Sequence, residues 1–333
     1  MQFRRFFKKS LLFAAPLLMW VLAVVVVNPF DYFNVCHAFS EQAKVVNAAS
    51  LNSLVFNMLK EKHAPCENLI IGDSRAEDLP VEYIEQLTGQ PYFILGANAL
   101  KLNESLDLFY FANRIQPVKH AVFTLNFNEF NEYAFADRVT SVNALIHNPF
   151  IYLFDRSVAQ AGYFVVRASL ARQQAVNSTP PMSEDAWWNY IVTVRGREHY
   201  EKYRYPLDLY KRMQELVAFA KTQGTEITFI VVPNHADFQK RVQEFGLLEQ
   251  YLRFKHDLSC LGVRVIDYDY VNAITTDKSK FRDPLHSDAE IGRLMAQEVF
   301  QGPLVQGKLL DATWANQSSN FLFLSSVTRP QLN

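Results

Sequence analysis

A doubly wound α/β fold is what this sequence predicts. Two observations carry that prediction: five short apolar runs that are continuous rather than alternating, and amphipathic helical stretches set between them. The runs are "NLIIG" (68–72), "PYFIL" (91–95), "AVFTL" (121–125), "EITFIVV" (226–232) and "VRVIDY" (263–268). Runs of this kind suit strands buried on both faces of a parallel sheet. Helical stretches cover 80–88, 101–115, 207–224 and 238–262, the third ending on Gly224, a residue suited to the left-handed position past a helix end. Strand–helix alternation implies parallel strands joined by right-handed crossovers, with ligands at the carboxyl ends of the strands.

The chain begins with a basic tip, residues 1–9, holding Arg4, Arg5, Lys8 and Lys9. No charge interrupts residues 10–27, which is long enough to span a bilayer core as a helix. The flanking cations place the N-terminus in the cytoplasm and everything after residue 28 across the membrane. We read residues 10–28 as an uncleaved transmembrane signal anchor. The competing reading is a cleaved signal peptide, but such peptides have a shorter apolar region and a small-residue cleavage site, whereas this run ends in "VVVVNPFDYF". A juxtamembrane segment, 29–65, leads to the main domain, 66–300. Cys36 and Cys66 bracket that segment and could form a bridge in an oxidising compartment, or all three cysteines could be unpaired thiols. No spacing suggests a metal, redox or other cofactor site. Residues 131–206 contain no clear strand and are rich in aromatics, among them Trp187, Trp188, Tyr190 and Tyr200; they read as a mainly helical insertion that could form a lid, a sugar-binding wall or simple hydrophobic cover. The tail, 301–333, is polar with a late "FLFLSS" patch and reads as peripheral.

With 49% hydrophobic and 20% charged residues over 333 positions, the composition is that of an ordinary globular protein with room for one large α/β domain and appendages. The net charge is −1, and setting the four N-terminal cations aside leaves −5 on the rest. That mildly acidic body argues against a nucleic-acid partner, which needs concentrated positive surface.

The chemistry-bearing residues fall at strand ends. The first strand runs into Gly72-Asp73-Ser74, where a serine at a helix start can be an ordinary N-cap or an exposed nucleophile whose amide helps to hold an oxyanion. "FRDPLHSDAE" places Asp283 and His286 three residues apart, followed by Ser287 and Glu290 in a capping-box pattern that predicts a helix start immediately after His286. A histidine on a short loop beside a carboxylate is the base-and-orienter pair an activated serine requires. Gly96, after the second strand, and Asn128 or Asn126, after the third, are candidate oxyanion donors, although asparagines also serve loops as turn residues. His235, in "VVPNHADF", reads as a loop or substrate-contact residue.

Together "GDS", Gly96, "NFNE" and "DPLH" resemble the SGNH (GDSL-type) hydrolase superfamily over residues 66–300. The resemblance implies a flavodoxin-like three-layer fold around a five-stranded parallel sheet, and a Ser-His-Asp triad of Ser74, His286 and Asp283. It also implies an oxyanion hole from the Ser74 and Gly96 amides and the Asn128 side chain. The third block departs from the family's G-x-N-D, and Ala97 could stand in the glycine's place in the second. With the N-terminal anchor, the chain is similar to bacterial envelope proteins that acylate alginate or teichoic acid. That implies a single-pass protein of the cytoplasmic membrane with its catalytic domain on the periplasmic or extracytoplasmic side. It would be a serine esterase or O-acyltransferase acting on acyl esters of an envelope glycan, with a membrane-bound acyl-transfer partner. The alternative is a catalytically silent module that binds glycan or scaffolds an envelope assembly.

Overall fold

The computed structural model describes residues 2–33, 35–171 and 182–314, with side chains from Phe13 onward. The basic side chains of the tip, part of the aromatic insertion and the "FLFLSS" patch lie outside the described residues. The chain divides into two compact units, Met1–Ala64 with Arg138–Thr179, and Pro65–Asp137 with Pro180–Asn333.

In the first unit a helix covers Gln2–Val27 and stops where Asn28 takes a left-handed φ of 44°. The buried Asn28 carboxamide holds the turn, accepting from the Phe33 amide at 3.1 Å and donating to the Phe33 carbonyl at 2.6 Å. Tyr32 stacks on the buried Tyr152 with centroids 4.1 Å apart, and the helix Ser53–His63 packs on Arg138–His147. Along the first helix Phe13, Leu17, Leu18, Met19 and Leu22 are exposed. Among the described residues, no helix is long and apolar enough to cross a membrane.

The second unit is built on β1 (Asn68–Gly72), β2 (Phe93–Gly96), β3 (His120–Leu125), β4 (Glu226–Val231) and β5 (Arg264–Asp267), all parallel, in the order 2-1-3-4-5. Every residue of β1 is buried, which is why its run is continuously apolar. One sheet face, through Ile70, Val122, Ile230 and Ile266, packs on Ile84 from the helix Val81–Thr88 and on Ile291, Met295 and Val299 from Ala289–Phe300. Phe123, 5.4 Å from Phe229, lies against Phe109 of the helix Leu102–Ile115, and Phe109 meets Phe219 of Leu207–Gln223. Full burial of such side chains contributes roughly 1.5–3 kcal/mol each.

The structure departs from the sequence reading in several places. The expected helix 238–262 is two, Ala236–Glu244 and Leu248–Ser259, because Gly246 adopts φ 68° between them. A small hairpin is formed by β6 (Phe281–Asp283) and β7 (His286–Ser287), where a loop was expected. The parallel strands gain an antiparallel sixth among the described residues, β8 (Lys308–Leu309), paired with β5. The cause lies in buried Glu298, whose carboxylate accepts from the Val305, Gln306 and Gly307 amides at 2.8–3.1 Å and steers the tail back to the sheet. Finally, the expected insertion is shared, residues 138–171 lying in the first unit and 184–200 in the second.

Candidate active site

Ser74 opens a short 3₁₀ turn, Ser74–Asp78, directly after β1. Its N-cap is Asp73, not Ser74: the Asp73 carboxylate accepts from the Arg75 amide at 3.0 Å and the Asp73 carbonyl from the Ala76 amide at 2.9 Å. The capping role that would explain a serine here belongs to its neighbour, and the Ser74 hydroxyl points elsewhere. Its Oγ lies 2.8 Å from His286 Nε2.

The hairpin sets the histidine. Asp283 and His286 are direct cross-strand partners, joined only by Pro284 and Leu285, so their side chains are neighbours by construction. His286 Nδ1 lies 2.9 Å and 3.0 Å from the two Asp283 oxygens, and Asp283 Oδ1 also accepts from the Leu285 and His286 amides at 2.9 Å and 3.1 Å. A carboxylate only accepts, so Nδ1 carries the ring proton and Nε2 is left to accept from Ser74. Burial pushes the Asp283 carboxyl up, but the His286 hydrogen bond and charge, the Leu285 amide and the Trp187 side chain outweigh it, and its pKa falls below the ordinary value.

The helix after the hairpin does not begin at Ser287. Asp288 is the N-cap, accepting from the Glu290 and Ile291 amides at 3.0 Å and 2.9 Å. The buried Ser287 hydroxyl instead donates to Asp78 Oδ2 at 3.3 Å, and Arg282 pairs with Asp78 Oδ1. A close approach keeps these parts together: a Cβ on Gly292 would sit 1.9 Å from the Asp78 carbonyl oxygen. Burial pushes the Asp78 carboxyl up to about 6, against the lowering effects of Arg282 and His286.

Behind the serine lies a buried polar chain that sequence reasoning missed. Arg75, 4% exposed, grips Asp73 with Nε 3.1 Å from both carboxylate oxygens, and extends Nη1 to Asn128 Oδ1 at 3.4 Å. Burial pushes the Asp73 carboxyl up, and the charge and hydrogen bonds of Arg75 overcome it, so the pKa is lowered. Asn128 Nδ2 faces Glu129 Oε1 at 3.4 Å, and Glu129 Oε2 pairs with Lys101 Nζ at 2.8 Å. Burial leaves Glu129 above its usual range despite Lys101. Asn128, 1% exposed, is thus oriented with its oxygen toward the cation.

The other sequence candidates have local roles. Asn126 accepts from the Glu129 amide at 3.0 Å, an Asx-type turn. Gly96 lies in register with Gly72, and a Cβ there would stand 2.3 Å from the Gly72 carbonyl oxygen, so strand packing alone demands glycine. The Ala97 amide donates to that same carbonyl at 3.4 Å. His235 is buried and caps the helix Ala236–Glu244, Nδ1 accepting from the Asp237 amide at 3.1 Å. Cys36, Cys66 and Cys260 form no disulfide.

No family model matches this chain, and no curated protein matches it. Among solved structures, a crystal structure from Bacteroides fragilis, provisionally described as an acylhydrolase, matches at a TM-score of 0.36 and 10% identity, over 78% of this chain and 89% of that one. Functional conclusions therefore rest on the geometry of Ser74, His286 and Asp283.

Proposed function

We propose that this protein is a membrane-anchored serine esterase or O-acyltransferase acting on acyl esters of a cell-envelope glycan. The observation that carries the chemistry is the hydrogen-bonded line from Ser74 Oγ through His286 to Asp283, with 2.8 Å at the serine and 2.9 Å at the carboxylate. In the first step His286 Nε2 takes the Ser74 proton as Oγ attacks the ester carbonyl, and Asp283 stabilises the imidazolium. The Ser74 and Gly96 amides and the Asn128 carboxamide are the proposed donors to the oxyanion; the Arg75 bond fixes which end of that carboxamide is the donor. Collapse expels the alcohol, protonated by His286, and leaves an acyl-Ser74. Water or a sugar hydroxyl, deprotonated by His286, then attacks the acyl carbonyl and releases acid or a new ester.

The anchor and the glycan are supported by the sequence: the uncharged run after four cations, and the likeness of the motifs and anchor to envelope acylation proteins. The exposed apolar side chains along the first helix are those a lipid environment would cover. A membrane-bound acyl-transfer partner belongs to the transferase form of the proposal. The test is labelling with a fluorophosphonate, comparing wild type with Ser74→Ala. Wild type should label and Ser74→Ala should not. A folded wild-type protein without Ser74-dependent labelling would instead be a binding or scaffolding module.

A further inference from the structure

The helix Glu184–Tyr190 is fixed beside the candidate site by one tryptophan and displays another. It starts at Ser183, whose Oγ accepts from the Ala186 amide at 3.3 Å. Trp188 is the anchor: it is buried, its indole donates to Asp237 Oδ2 at 3.0 Å, and its ring meets His235 edge-on at 4.8 Å. The His235 amide in turn donates to the Pro284 carbonyl at 2.9 Å, in the turn between Asp283 and His286, and the helix packs on β6. Trp187 reaches the Asp283 carboxylate with its side chain. It is 40% exposed and stacks with Tyr190 at 5.5 Å and 20°, an i,i+3 pair on one helix face.

Trp187 touches the orienting carboxylate, but its exposed ring face and the half-buried Tyr190 stacked beside it take no part in the hydrolytic steps above and do not anchor the helix. We propose that Trp187 and Tyr190 form a stacking platform for a pyranose ring of the glycan whose ester group reaches Ser74. The inference rests on the Ser74 reading and deepens it by naming where the sugar sits. Pyranose rings present C–H faces that pack on aromatic planes, while their hydroxyls require polar neighbours. Both occur here, since Trp187 itself touches the Asp283 carboxylate, and the exposed Asp185 of the same helix pairs with Lys278 at 2.7 Å. An acyl chain would favour an enclosed apolar groove over a flat, half-exposed ring pair beside a carboxylate.

The test compares Trp187→Ala and Trp187→Phe in the full chain on three esters: 4-nitrophenyl acetate, 4-nitrophenyl octanoate and O-acetylated xylo-oligosaccharides. Trp187→Ala should lose at least about tenfold more kcat/KM on the acetylated oligosaccharide than on 4-nitrophenyl acetate, mainly through KM, and Trp187→Phe should restore most of that difference. Equal losses on all three esters would overturn the platform, because Trp187 would then act only through Asp283. A loss concentrated on the octanoate would overturn it in favour of an acyl-chain site. If wild type and Ser74→Ala turn over all esters alike, the Ser74 reading fails, and the platform is decided by binding. Xylo-oligosaccharide should then quench tryptophan fluorescence in wild type, and an undiminished quench in Trp187→Phe would overturn it.

Discussion

Replacing Asp283 with asparagine should harm catalysis more than replacing it with alanine, and the hydrogen bonds say why. Asp283 Oδ1 is held by two backbone donors, the Leu285 and His286 amides at 2.9 Å and 3.1 Å. In Asp283→Asn the side-chain oxygen must stay with those donors, so the new NH₂ takes the position of Oδ2, 2.9 Å from His286 Nδ1. The NH₂ facing Nδ1 favours the tautomer with the ring proton on Nε2, against the remaining 3.0 Å contact of Nδ1 with the oxygen, and in that tautomer Nε2 can no longer accept from Ser74. A dominant wrong tautomer is expected to lower kcat by about 10⁴-fold. Alanine imposes no tautomer; it removes orientation and imidazolium stabilisation, and should leave roughly tenfold or more of the rate that asparagine abolishes. The assay is the rate of fluorophosphonate labelling and of 4-nitrophenyl acetate turnover, with urea melts to establish folding. Asparagine equal to or better than alanine, in folded proteins, would refute the tautomer argument.

Two further substitutions address the buried charges. Arg75→Met leaves the Asp73 carboxylate buried without its cation, which should cost ~3–5 kcal/mol at neutral pH. The wild-type Asp73 pKa is lowered, so its contribution is present above the ordinary carboxylate range and is lost as pH falls below it. In Arg75→Met burial is opposed only by the residue-75 amide and His286, so that pKa rises from its wild-type position and acidification should narrow the gap between the two urea melts; a gap that is constant with pH would count against the pairing. Asp78 is the opposite case: with its folded pKa at about 6, above the ordinary 3.8, its ionised form opposes folding, and stability rises as pH falls through 6 toward 4. Asp78→Asn should therefore stabilise by ~1–3 kcal/mol at pH 8, less whatever the exposed Arg282 pair contributes, and flatten the melt profile between pH 4 and 6. Destabilisation at pH 8 with the wild-type slope would refute it.

The parallel strands were legible because each is a short apolar run bounded by turn residues, and burial on both faces removes the alternation that would have confused the reading. The break at Gly246 was not, since an amphipathic period runs through it and only its left-handed φ divides the helices. The return of the tail as β8 depends on Glu298 capturing three amides, a tertiary event without a local signal. Ser287-x-x-Glu290 misled because Asp288 competes for the same amides and Asp78 offers the serine a partner more than two hundred residues away. Within the candidate site the motif residues could be read from strand ends, whereas Arg75 could not: an arginine after a serine is ordinarily solvated, and only the buried Asp73 carboxylate makes its burial affordable.

That pair also explains why His286 answers to one carboxylate when three aspartates act on it. The His286 charge lowers the pKa of Asp73, Asp78 and Asp283 alike. Three carboxylates without partners of their own would compete for one imidazole N–H. Two of them are matched elsewhere, Asp73 by the buried guanidinium of Arg75 and Asp78 by Arg282 together with the Ser287 hydroxyl. Only Asp283 faces the ring, through an opposed pair in a hairpin too short to offer another geometry. Arg75→Met therefore affects the site as well as the fold. Without the guanidinium at Asn128 Oδ1, that carboxamide loses the contact that orients it, and Ser74 labelling and 4-nitrophenyl acetate turnover should slow together. Unchanged rates, in a variant that still folds, would mean that Arg75 serves the fold alone.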